Sequence, residues 1–258
     1  MEVFFQRKMS RILAFIYGVV CYLISLIAFL YTIGFVGNLI VPKTLDSNLD
    51  GPLIKGLLID ILLICLFAIQ HSLMARQRFK KLWTKIIPKP IERSTYVLIS
   101  SLALLLLFWQ WSSLGGIIWN IQNPIKFNII YGIFIWGWLI VFASTFMINH
   151  FDLFGLRQVY LYLRGQEYEN LEFRNLGLYK YIRHPIMLGF VIAFWATPLM
   201  TVSHLVFVIG TTIYMLVGIK LEEMDMIDIY GNLYQEYQQQ VSMLIPLPRI
   251  NWLNSNHK

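Results

Sequence analysis

The apolar residues of this chain fall into long blocks with hardly a charge inside them, and that pattern limits its fold more than any motif does. A helix needs about 20 mostly apolar residues to cross a hydrocarbon core of about 30 Å. Blocks of that kind run from about Ile12 to Ile33, Leu53 to Met74, Tyr96 to Leu114 and Ile129 to Ile148. Two shorter ones, Pro185 to Met200 and Leu205 to Ile219, are joined around Thr201 to His204 and predict a C-terminal helical hairpin. The expected fold is therefore an all-α membrane protein with about six transmembrane helices in a single domain, residues 1–258. With 14% charged residues against 57% hydrophobic ones, the chain lacks the polar surface of a soluble domain, which carries roughly 25% charged residues. The first block follows Arg7, Lys8 and Arg11 like a signal sequence, but its length predicts a retained anchor.

The net charge of +7 invites a nucleic-acid reading, and the placement of the cations removes it. Arg7, Lys8 and Arg11 precede the first block. Arg76, Arg78, Lys80, Lys81, Lys85, Lys89 and Arg93 lie between the second and third. Arg157, Arg164, Arg174, Lys180 and Arg183 lie between the fourth and fifth, and Lys220, Arg249 and Lys258 follow the sixth. Lys43, Lys55 and Lys126 alone fall on the other side. The positive-inside rule then puts both termini and the two long basic loops in the cytoplasm. Cys21 and Cys65 sit inside apolar blocks and read as small core residues; their separation predicts neither a metal site nor a disulfide framework.

Several polar residues need an explanation. Asp60 and His71 are eleven residues apart, close to three helical turns, and so share a helix face. Ionisable groups within spans usually face the bundle interior and are often functional, although Asp60 also suits a hydrated outer position. His150 and Asp152 leave the fourth block together. A carboxylate beside an imidazole can fix its tautomer and raise its basicity; the alternative is a helix-end cap built on Asn149 and Asp152. The strongest cluster is Tyr181-Ile182-Arg183-His184-Pro185 with Gly189. Proline suits the first turn of a helix, whose N-terminus offers free N–H groups to an anion. Arg183 and His184 add donors, and Gly189 allows a ligand or another helix to come close. Glu222-Glu223 follows the last block and suits an amine or ribose hydroxyls. Tyr230, Tyr234 and Tyr237, at i, i+4 and i+7, would share one helix face.

The order of these parts, with Ile245-Pro246 after them, resembles the C-terminal signature of the isoprenylcysteine carboxyl methyltransferase and phospholipid methyltransferase superfamily, here spanning about 181–246. The phospholipid enzymes carry a Gly-x-Gly in this region, where this chain has only Gly189. The segments Gln70-His71-Ser72-Leu73-Met74-Ala75-Arg76, Ile91-Glu92-Arg93-Ser94-Thr95-Tyr96, Leu107-Phe108-Trp109-Gln110-Trp111 and His150 to Gln158 look like the nurim-related group, and within it the bacterial methanethiol S-methyltransferases. The resemblance implies an S-adenosylmethionine-dependent enzyme that methylates a small thiol, methanethiol, to dimethyl sulfide. It implies a cytoplasmic-side cofactor site built from Tyr181, Arg183, His184, Pro185, Gly189, Glu222 and Glu223. His71, His150 and Asp152 are candidates for activating the thiol, on chemical grounds alone. No metal, nucleic acid or obligate protein partner is expected beyond the thiol and the bilayer. The alternatives are a nurim-like protein without catalysis, a methyltransferase acting on a lipid or isoprenylcysteine, and a transporter; polar groups gathered at one edge rather than at mid-membrane disfavour the last.

Overall fold

The computed structural model describes residues 2–47, 51–169 and 171–246. Four long helices come first: α1 (Glu2–Gly37), α2 (Leu53–Ala75), α4 (Lys89–Gln110) and α5 (Pro124–Ile148), with the short amphipathic α3 (Gln77–Trp83) between α2 and α4. Then come α6 (His150–Leu153), α7 (Leu156–Arg164), a 3-10 turn (Gly177–Lys180), α8 (Pro185–Trp195), the long α9 (Val202–Tyr230) and α10 (Asn232–Gln240). Two short strands, β1 (Ile117–Asn120) and β2 (Leu199–Thr201), pair antiparallel at the end away from the basic loops.

Among the described residues, five helices are long and apolar enough to cross a membrane: Met9–Gly37 within α1, α2, α4, α5 and α9. Their outward faces confirm the solvent. On α1 the exposed Leu13, Ile16, Val20, Leu23, Ile27 and Leu30 recur every three or four residues, one stripe that only lipid can cover. Cys65 lies on such an outward face, so only Cys21 is the core residue expected.

The expected fifth span is shorter than its apolar block. At 1.5 Å per residue, α8 is roughly 16 Å long, too short to cross alone. It starts at Pro185 as expected, but ends at Trp195; the rest of the block is extended chain leading into β2. Non-helical backbone at membrane depth must be satisfied by protein. Here Trp119 Nε1 donates to the Thr197 carbonyl (3.1 Å), and His204 Nε2 meets the Phe194 carbonyl (3.0 Å). The hairpin partner α9 begins at Val202, capped by Thr201, whose hydroxyl accepts the His204 N–H.

Gly189 and Gly137 bring α8 and α5 together. A Cβ on Gly189 would stand 2.7 Å from the Gly137 carbonyl oxygen, and one on Gly137 would stand 2.8 Å from that of Gly189. Small residues of this kind let helices in a membrane pack at backbone distance. Gly189 therefore serves the approach of a helix. The main core is aromatic: Phe35, Phe108, Trp111, Phe134, Trp138, Phe194 and Phe207 interlock, mostly edge to face.

Candidate active site

At the start of α8, Arg183 and His184 close on one carboxylate. Glu223 Oε1 accepts Arg183 Nε at 2.6 Å and lies 3.0 Å from His184 Nε2, while its Oε2 accepts Gln238 Nε2 at 3.0 Å. Arg183 also donates to the carbonyls of Gln238 and Val241. The backbone N–H groups of Arg183 and His184 donate to Ser242 and Met243. These contacts fold the C-terminal segment back across the start of α8. Arg183, 8% exposed, and Glu223, 13% exposed, form a buried, charge-assisted knot. Arg183 and Glu223, 40 positions apart in the chain, and Arg183 and Val241, 58 apart, are thus brought together.

Glu222 is different. Half its surface is exposed, and its nearest charged neighbour is His184 Nδ1 at 3.7 Å. It is the carboxylate at this site that remains open to a ligand. Tyr181 points outward, 67% exposed. The tyrosines do not share one helix, since Gly231 takes a positive φ of 56° and breaks α9 from α10. Tyr230, Tyr234 and Tyr237 instead surround Phe173 from two helices. Tyr237 donates to the Tyr179 carbonyl (2.6 Å), and burial pushes its own hydroxyl up to about 12. Burial and the nearby acids also raise Tyr179 and Tyr234.

His71 lies beside this site. Its Nε2 is 2.9 Å from the Tyr96 hydroxyl and its Nδ1 is 3.1 Å from Ser100 Oγ. Its ring stacks on Phe67, and Tyr214 meets it edge-on. Arg76, at the end of α2, pairs with Asp225 (3.1 Å) and donates to the Leu221 carbonyl, tying this helix to the turn of α9 that bears Glu222. Asp60, on the same helix as His71, is fully buried rather than at an exposed outer position. It accepts the Ser112 N–H at 2.7 Å and so caps the chain leaving α4.

His150 and Asp152 part company. Asn149 caps α6 through the Asp152 N–H (3.1 Å), the alternative that the sequence left open. The Asp152 carboxylate then turns to Arg157 (3.0 Å) and Tyr168. His150 faces the other way, with Nδ1 on Thr145 Oγ1 (2.9 Å) and Nε2 on the Tyr22 hydroxyl (3.0 Å). Its ring stacks on Phe146 at 4.4 Å, and burial pulls it below the usual histidine range. The imidazole is not oriented by the acid two residues on.

One polar group had no forewarning in the sequence. At the outer end, His204 and Asp46 are buried together, with Nδ1 and Oδ2 3.0 Å apart, and Asp46 also accepts from Thr201 and Asn38. The two residues lie 158 positions apart, and no local spacing links them.

Fold and site define a multi-pass, all-α membrane protein, and the chain belongs to the NnrU protein family, whose model matches residues 59–242. Among curated relatives it is 54% identical to a methanethiol S-methyltransferase of Crocosphaera subtropica, over 92% of this chain and 93% of that one. It is 51% identical to one of Mycobacterium tuberculosis, over 93% of this chain and 98% of that protein. Nurim of Xenopus laevis is 31% identical over 65% of this chain and 61% of its own. No solved structure matches.

Proposed function

We propose that this protein is an S-adenosylmethionine-dependent methyltransferase that converts methanethiol to dimethyl sulfide. The observation that carries this is about 50% identity, over more than nine-tenths of the chain, to proteins named for that activity. Nurim matches less of the chain and at lower identity, which disfavours a non-catalytic role.

The site suits the cofactor's polar parts. Glu222 offers an open carboxylate to an amine or to ribose hydroxyls. The first-turn N–H groups of α8, which have no helical acceptor, suit a carboxylate. Arg183 and Glu223 spend their hydrogen bonds on each other and on the C-terminal segment, so they act as positioning residues. When bound, the cofactor supplies an electrophilic sulfonium methyl group.

The protein's task is then to hold the thiol and take its proton. A thiol with a pKa of about 8.5 is mostly protonated at neutral pH, while the thiolate is the nucleophile. His71, with Tyr96 and Tyr214 beside it, is walled by aromatic rings that suit a small apolar thiol, whereas His184 is already held by Glu223. His150, like His71, has both ring nitrogens engaged, but its partners Tyr22 and Thr145 lie on α1 and α5, whereas the helix that carries His71 is tied through Arg76 to the turn of α9 that bears Glu222. Holding the reactants at attack distance accounts for up to roughly 7–11 kcal/mol of barrier lowering.

Purified protein with methanethiol and labelled S-adenosylmethionine should release labelled dimethyl sulfide. Tight cofactor binding with label appearing only in lipid would replace the thiol by a lipid acceptor, and no cofactor binding would remove the enzyme.

The cation distribution supports an inner-membrane protein with both termini and this site in the cytoplasm. Reporter fusions after Met74 should read as internal and fusions after Leu114 as external. Reversal at both points would overturn that orientation.

A further inference from the structure

A second cavity, of about 440 Å³, opens at the basic end between α3, α4 and α7, and it shares no residue with the acid pair or with His71. Lys80, Lys89 and Arg93 line it, with Gln158, Tyr162 and Tyr168. Its acids are Glu92 and Asp152, and Asp152 is already matched by Arg157. Among the described residues, neither lysine has a carboxylate at ion-pair distance. Lys80 is held below the usual lysine range by burial and by the Arg93 charge. Gln158 is 8% exposed, and its Oε1 is buried with no hydrogen-bond partner among the described residues. The cavity thus holds clustered positive charge, and the Gln158 oxygen is left as an acceptor for a ligand's hydroxyl rather than for its phosphate.

Pro90 and Tyr162 also line a neighbouring groove of about 620 Å³. The groove is apolar and runs between α1 and α4, lined by Leu13, Ala14, Tyr17 and Ile91. Leu13 belongs to the lipid-facing stripe of α1. A cationic chamber therefore adjoins an apolar groove that borders the lipid-facing stripe of α1.

We infer that the joined cavity and groove bind one anionic phospholipid, with its phosphate among Lys80, Lys89 and Arg93 and an acyl chain along the groove. The shape matches an amphiphile, and the charge matches an anionic headgroup. Anionic lipids favour basic pockets between helices at the cytoplasmic surface. The lipid is a structural ligand, which bridges α1, α3, α4 and α7 and takes no part in methyl transfer.

Native mass spectrometry of the full chain released from detergent tests this with dioleoyl phosphatidylglycerol, dioleoyl phosphatidylethanolamine and inorganic phosphate as probes. One phosphatidylglycerol should stay bound, and phosphatidylethanolamine should bind at least tenfold more weakly. The Lys80→Gln/Lys89→Gln double variant should lose at least tenfold in retained phosphatidylglycerol. Ala14→Phe, which fills the groove and leaves every charge in place, should also lower retention. Equal retention of the two lipids, or parent-like retention by either variant, would overturn the inference. So would displacement of the lipid by inorganic phosphate, which would make this a site for a free anion.

Discussion

Glu223→Ala will remove cofactor binding altogether and lower the thermal midpoint of the protein, while Glu222→Ala will weaken the cofactor and leave the midpoint unchanged. The difference follows from burial. Glu223 is the common acceptor of Arg183, His184 and Gln238, and its removal leaves the buried Arg183 guanidinium without a counter-charge. Breaking a buried pair from one side typically costs about 3–5 kcal/mol. The damage would spread along the chain, because Arg183 also holds the carbonyls of Gln238 and Val241 that pin the C-terminal segment over α8. Glu222 holds no such network and is half exposed, so its loss touches only what binds there. Calorimetry with S-adenosylmethionine and thermal melts in detergent read both quantities. Parent-like affinity in both variants would show that these acids hold no cofactor; an unchanged melt for Glu223→Ala would show that the knot adds no stability.

His71→Ala will reduce turnover roughly 10²- to 10⁴-fold, the usual range for loss of a general base, with cofactor affinity nearly unchanged. The deficit should shrink as pH rises, since more thiolate then forms without assistance. Tyr96→Phe should show a smaller loss of the same kind, because the Tyr96 hydroxyl is the group that the His71 ring faces. His150→Ala is the contrasting case. It breaks hydrogen bonds to Tyr22 and Thr145 and a ring stack on Phe146, so its effect should fall on stability. A His150→Ala protein that folds normally yet loses turnover in the pH-dependent way, with His71→Ala active, would exchange the two roles.

The long spans could be read from the sequence because hydrocarbon thickness dictates their length, and α1, α2, α4, α5 and α9 lie where the apolar blocks predicted them. The start of α8 was equally plain, since Pro185 fits a first helical turn. Its end was not, because an apolar run does not distinguish helix from extended chain when distant side chains satisfy the backbone. Here those side chains are Trp119 and His204. Among site residues, Arg183, His184 and Glu223 meet one another, a pairing that their separate motifs did not announce. The pairing of His150 with Asp152 failed because Arg157, five residues on, competes for the same carboxylate and carries a permanent charge. The tyrosine stripe failed at Gly231, where the backbone enters a conformation that costs glycine little and breaks the helical period. The Asp46–His204 pair depends on tertiary folding alone and left no local trace.

The shortness of α8 sets where in the membrane this site lies. Gly189 packs on Gly137, near the middle of α5, which runs on to Ile148. Counting back along the antiparallel helix, Pro185 lies about two turns inside the end of α5, or ~10 Å. Glu223 lies seven residues before the end of α9, or ~10 Å from it on the same rise. The floor of the site therefore lies about two helical turns inside the ends of α5 and α9, and on the proposed function an apolar thiol would reach it by dissolving in the bilayer. On the proposed function, the enzyme draws its substrate from the lipid phase and its charged cofactor from the water, and the neutral sulfide it forms can leave by the same oily route. The effective substrate concentration is then set by partitioning into the membrane rather than by the amount free in the cytoplasm.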